Sequence, residues 1–158
     1  MGFLNAKIKK SLLSSFDEID NLVRYVNNGG CGFFAKHLYN TLIKKGFKPE
    51  LVLLVRGNSV CESYEHILNN DISALFKTAW VHVMVKVKTS KKVYYIDSKG
   101  IFDDLSTHPI FNNCNCVDMP FAILDTMLKS EYQHKWNNTF NRGDNKQIKK
   151  ILVKHLEV

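Results

Sequence analysis

The sequence predicts an α+β fold in which a helical layer packs on a small antiparallel sheet. Three observations lead there. Apolar residues recur at helical spacing over residues 15–26 and 31–45. Two alternating runs joined by a polar turn, residues 80–97, read as a β-hairpin. Between these patterns lies an apolar run of strand length, Leu51-Val52-Leu53-Leu54-Val55. At 158 residues the chain reads as a single domain, 1–158, able to bury about two-thirds of its unfolded surface.

Taken in order, the first helix is expected to open at Ser15, which forms a capping box with Glu18. Ile19, Leu22, Val23 and Val26 make its apolar stripe, and Asn27 to Gly30 end it. A second helix follows over 31–45. Phe34, Leu38 and Leu42 repeat every four residues, Lys44 and Lys45 suit the negative end of the dipole, and Gly46 is a natural stop. Residues 51–55 are the buried strand. Residues 58–78 hold one or two short helices or a loop over the site. In the hairpin, Val81, Val83, Val85 and Val87 share one face, and His82, Met84, Lys86 and Lys88 the other. Residues 101–119 read as irregular. Pro120 opens a helix over 121–130, and Asp144 and Gln147 start a last one.

Composition narrows the classes. The chain is 45% hydrophobic and 23% charged, the balance of a globular domain. No apolar run approaches the roughly 20 residues of a membrane span. The stretch from Met1 to Lys7 lacks the features of a secretory signal. The four cysteines, Cys31, Cys61, Cys114 and Cys116, fit reduced thiols and a cytoplasmic setting. Cys114 and Cys116, even with His108 or Cys61, lack the paired spacing of a structural zinc site, so no metal or other cofactor is expected. The net charge of +7 favours acidic partners. The lysines are spread along the chain, however, and no nucleic-acid motif accompanies them, which makes nucleic acid an unlikely partner.

One stretch carries chemistry. In Asn27-Asn28-Gly29-Gly30-Cys31-Gly32-Phe33-Phe34-Ala35, glycines surround a cysteine at the start of a buried helix. The helix dipole and first-turn N–H groups stabilise a thiolate there. Such a nucleophile needs a base, and the base an orienting group. If the hairpin turn is centred between Ser90 and Lys91, Asp97 faces Met84 and lies diagonal to His82 on the same face, within side-chain reach. A one-residue slip would separate them. Each residue has a plainer reading alone: Cys31 as a small core residue, His82 as a satisfied core histidine, Asp97 as the start of a turn. Together they make a candidate Cys-His-Asp triad.

Those residues carry a resemblance. Gly30-Cys31-Gly32-Phe33-Phe34-Ala35 with Leu38, Leu42 and Gly46 is similar to the nucleophile helix of the transglutaminase-like and papain-like cysteine enzymes. Trp80-Val81-His82-Val83 and Tyr94-Tyr95-Ile96-Asp97-Ser98-Lys99-Gly100 resemble their His and Asp strands. The likeness covers about residues 28–101. It implies a papain/transglutaminase-like core and a thiol-dependent hydrolase or acyl transferase, a cysteine protease or amidase, acting on a peptide or protein substrate. Two positions depart from the pattern. Met84 stands where many transglutaminase-like members have Trp, and no glutamine precedes Cys31 to supply an oxyanion donor, a role expected of Asn27 or Asn28. The alternatives are an inactive binding or inhibitory protein that keeps the fold and, less favoured, a basic nucleic-acid-binding domain.

Overall fold

The computed structural model describes residues 4–23, 26, 30–57, 59–111, 113–136 and 142–158. Its elements run α1 (Ala6–Leu22), α2 (Cys31–Lys44), β1 (Pro49–Arg56), α3 (Ser59–Leu68), α4 (Ile72–Leu75), β2 (Trp80–Lys88), β3 (Val93–Asp97), β4 (Gly100–Phe102), β5 (Cys114–Met119), α5 (Phe121–Met127) and α6 (Arg142–Leu156). The strands form one antiparallel sheet in the order β4-β3-β2-β1-β5. The fold is therefore α+β, as the periodicities predict.

The two sheet faces are covered differently. Leu51, Leu53, Val83 and Val85 pack against Leu38 and Leu42 of α2 in the main core. The opposite face, Val52, Leu54 and Met84, is covered by Leu105, Phe102 and Phe111 from the segment after β3. Both β1 and β2 are thus nearly sealed, which explains the continuous apolar run of β1. Lys86 is buried and paired with Glu50 at 2.8 Å and Asp118 at 2.5 Å. No helix among the described residues is long and apolar enough to cross a membrane.

Several expectations are corrected. The first helix begins nine residues before Ser15, at Ala6. Asn5 caps it by accepting the Ile8 N–H at 2.9 Å. The apolar stripe extends upstream through Ile8 and Leu12, and burial of that face outweighs the local capping-box pattern. Ser15 lies mid-helix, its hydroxyl donating to the Leu12 carbonyl at 2.6 Å. Glu18 reaches α6 instead, accepting from His155 and from Lys154. Residues 114–119 are a strand rather than irregular, because β1 offers them an open edge. Along β5, Val117 and Met119 enter the main core while Cys114 and Cys116 turn to the other face. The two cysteines follow the pleat and share the face of Val52, Leu54 and Met84.

The alternation expected along β2 breaks at its start. Leu54 lies opposite His82 and Val55 opposite Trp80, so Val81 is an extra residue, a β-bulge. Trp80 joins the main core, and Val81 packs on the Met84 face instead of with Val83. The β2–β3 register, by contrast, is the one the turn position implied: Val85 opposes Ile96, Lys86 opposes Tyr95 and Lys88 opposes Val93.

Gly32 also has a structural reason. A Cβ there would stand 2.6 Å from the Trp136 ring and 2.9 Å from Leu128. The indole cannot easily retreat, since its N–H donates to the Met127 carbonyl at 2.8 Å and it packs on Trp80 and Phe76. Gly32→Ala is therefore expected to destabilise the protein by about 1 kcal/mol net, the overpacking outweighing the better helix propensity of Ala. Urea unfolding checks this; a midpoint equal to or above wild type would show that the indole has room to move.

Candidate active site

Cys31 is the first residue of α2. Gly30 is the cap, and the first intrahelical bond runs from the Phe34 N–H to the Gly30 carbonyl at 2.9 Å. The first-turn N–H groups and the positive end of the dipole therefore lie at the thiol. Cys31 is 7% exposed, more than the 1% of His82 and 2% of Asp97, so it is the least buried residue of the three.

His82 follows the Val81 bulge, which re-aims the start of β2. Asp97 ends β3, at the two-residue corner Ser98-Lys99 that returns the chain as β4. Its Oδ1 accepts the Lys99 N–H at 2.7 Å, closing the turn. Its Oδ2 accepts the His82 Nε2–H at 2.7 Å. The Cys31 thiol is the imidazole's other side-chain hydrogen-bond partner. With Nε2 committed to Asp97, the nitrogen left for sulfur is Nδ1. The structure thus brings Cys31, His82 and Asp97 together. Asn27 and Asn28 lie outside the described residues.

The sequence reading missed one residue of the cluster. His108 follows a 3₁₀ turn, Leu105–Thr107, and its Nε2–H donates to the same Asp97 Oδ2 at 2.6 Å. Its Nδ1 accepts the Ile110 N–H at 3.1 Å. The only local signal was an apolar, turn-rich segment, with Leu105 and Phe111 flanking His108-Pro109. Nothing in spacing linked position 108 to position 97.

Electrostatics follow from this packing. Burial disfavours charge on both partners. For Asp97 the His108 and His82 hydrogen bonds outweigh it and hold the carboxyl well below its ordinary value. For His82 burial pulls downward, but the hydrogen bonds to Asp97 and Cys31 and the negative charge of both raise its pKa to about 10. The imidazole is therefore protonated at neutral pH, and its positive charge lies beside the Cys31 side chain.

The other thiols and histidines do not share this setting. Burial pushes the Cys116 thiol up to about 11, which keeps it protonated and unreactive. Cys61 is exposed on α3. His37 contacts Asn145 on α6, and burial lowers its pKa. His66 lies 3.7 Å from Glu62.

Ligand-capable atoms of His82, Asp97 and His108 lie within 4.8 Å of one another, the one such group among the described residues. Histidine and carboxylate ligands suit zinc. Here one carboxylate oxygen sits directly against both Nε2–H groups, so hydrogen bonding accounts for the whole arrangement.

A raised His82 pKa is also a statement about stability. Its contribution is fully present below the unfolded value of 6.5 and is lost as pH rises through about 10. The urea midpoint is expected to fall between pH 7 and pH 10. Asp97→Asn, lacking the carboxylate charge, should lower the midpoint at pH 7 and flatten that fall. An identical pH dependence in wild type and variant would contradict the coupling.

No protein-family model, curated protein or solved structure matches this chain.

Proposed function

We propose that this protein is a thiol-dependent acyl-transfer enzyme, most simply a cysteine peptidase or amidase, with a papain/transglutaminase-like core. One observation carries the reading: a buried imidazole bridges a helix-start cysteine and an ionised aspartate, each supplied by a different element. A structural histidine in a valine-rich strand has no need of both partners.

In this reading the Cys31 proton already rests on His82 Nδ1, and the sulfur attacks the substrate carbonyl carbon. A carbon–sulfur bond forms, and the carbonyl oxygen takes the negative charge. The Cys31 backbone N–H is one donor for that oxyanion. The imidazolium then protonates the leaving amine as the carbon–nitrogen bond breaks. Water or an amine attacks the resulting thioester, giving up a proton to His82, and the carbon–sulfur bond breaks with the sulfur leaving as thiolate beside the imidazolium. Asp97 keeps His82 in the tautomer that presents Nδ1 to sulfur. The same three residues serve hydrolysis and transfer to an amine. The net charge of +7 favours an acidic peptide or protein as substrate.

A second reading has its own observation. A divalent cation held by His82, Asp97 and His108 would take the Nε2 that Asp97 now holds. Two measurements separate the readings. Labelling by a cysteine-directed acyl probe is expected to require Cys31, to be lost in Cys31→Ala, and to survive EDTA. Loss of activity with EDTA and its return with zinc would replace the thiol mechanism with the metal one. Labelling of Cys31 without turnover of any peptide library would leave a binding protein that kept the site.

A direct check on the pairing is the His82 titration. In Cys31→Ala the sulfur's hydrogen bond and charge are gone, so the His82 pKa should drop from about 10 towards the ordinary value. Imidazole NMR reads this, and an unchanged titration would uncouple the two residues.

A further inference from the structure

We infer that His108 is a positioning residue, which holds the Asp97 carboxylate in the orientation that lets it hold His82. The inference rests on the reading of Cys31, His82 and Asp97 as the reacting set.

Asp97 sits at a hairpin corner, where the backbone supplies one donor, to Oδ1, and none to Oδ2. Three N–H groups fix it: Lys99 on Oδ1, and His82 and His108 on Oδ2. Of the two on Oδ2, His82 is the one whose other nitrogen must change protonation during catalysis. His108 is the constant donor. The Ile110 N–H occupies its Nδ1 as an acceptor, which assigns the ring proton to Nε2. The ring is buried and its centroid lies 4.6 Å from that of Phe102, so it has little freedom to turn away.

The geometry argues against His108 as a second base. Both its nitrogens are committed, and its ring centroid is 5.6 Å from that of His82, on the side of Asp97. Its action on Cys31 must pass through Asp97 and His82.

The test uses the full chain and needs no known substrate. Iodoacetamide labels the wild type at pH 6, where an ordinary thiol is far below its pKa of roughly 8.5, and peptide mass spectrometry follows Cys31 and the exposed Cys61 separately. His108→Phe keeps the ring and removes the donor, while His108→Gln keeps an N–H near the Nε2 position. Loss of a hydrogen bond to a buried charged group typically costs on the order of tenfold or more. Cys31 labelling should slow by that much in His108→Phe and stay within about threefold of wild type in His108→Gln. An unchanged rate in His108→Phe, or equal slowing in both variants, would overturn the role of His108 alone. If wild-type Cys31 reacts no faster than Cys61, the reading of the reacting set falls and this role with it. Should His108→Phe fail to fold, ¹⁵N imidazole spectra of the wild type still decide. His108 is expected as the Nε2–H tautomer at pH 7, and an Nδ1–H tautomer would overturn the inference.

Discussion

A buried carboxylate is the constraint on which the site depends. Asp97 is 2% exposed and charged, and an ion removed from water is costly unless donors replace the hydration it loses. Three N–H groups do so, from the β3–β4 corner, from β2 and from the segment that covers the second sheet face. Removing any one leaves the charge short of a partner in a place water does not reach.

That requirement ties distant parts of the chain together. Phe102, Leu105 and Phe111 cover Val52, Leu54 and Met84, and the same packing delivers His108 to Asp97. The Val81 bulge adds a residue to β2, and His82 emerges at the sheet end near the start of α2. Gly32 lets the Trp136 indole close on that start. Sheet, covering segment and helix meet at one point, around the Asp97 carboxylate and the His82 imidazole. The packing of the core and the geometry of the site draw on the same contacts.

Local pattern was informative where one element answers to one physical rule. The second helix, with its glycine stop, spans Cys31–Lys44 as its four-residue repeat implied. The hairpin register followed from the turn position, because pleat and turn length leave a single pairing. That register put Asp97 within reach of His82, and the two meet at 2.7 Å. Local pattern misled where a longer-range surface competes. Ser15 and Glu18 form a good capping box, yet the α1 stripe continues upstream, and burying it outweighs a cap. Residues 114–119 look irregular alone and become β5 only because β1 has an edge to offer.

The sequence by itself determined the nucleophile candidate, its helix, and a histidine and aspartate on one hairpin face. These depend on periodicity and turn chemistry, which act over a few residues. Only the tertiary structure decided the rest: the bulge that re-aims His82, the sealing of Asp97, and the second histidine beside it. His108 lies 11 residues beyond Asp97, and no local period relates the two. Their meeting follows from how the covering segment packs across the sheet, and only the assembled chain defines that packing.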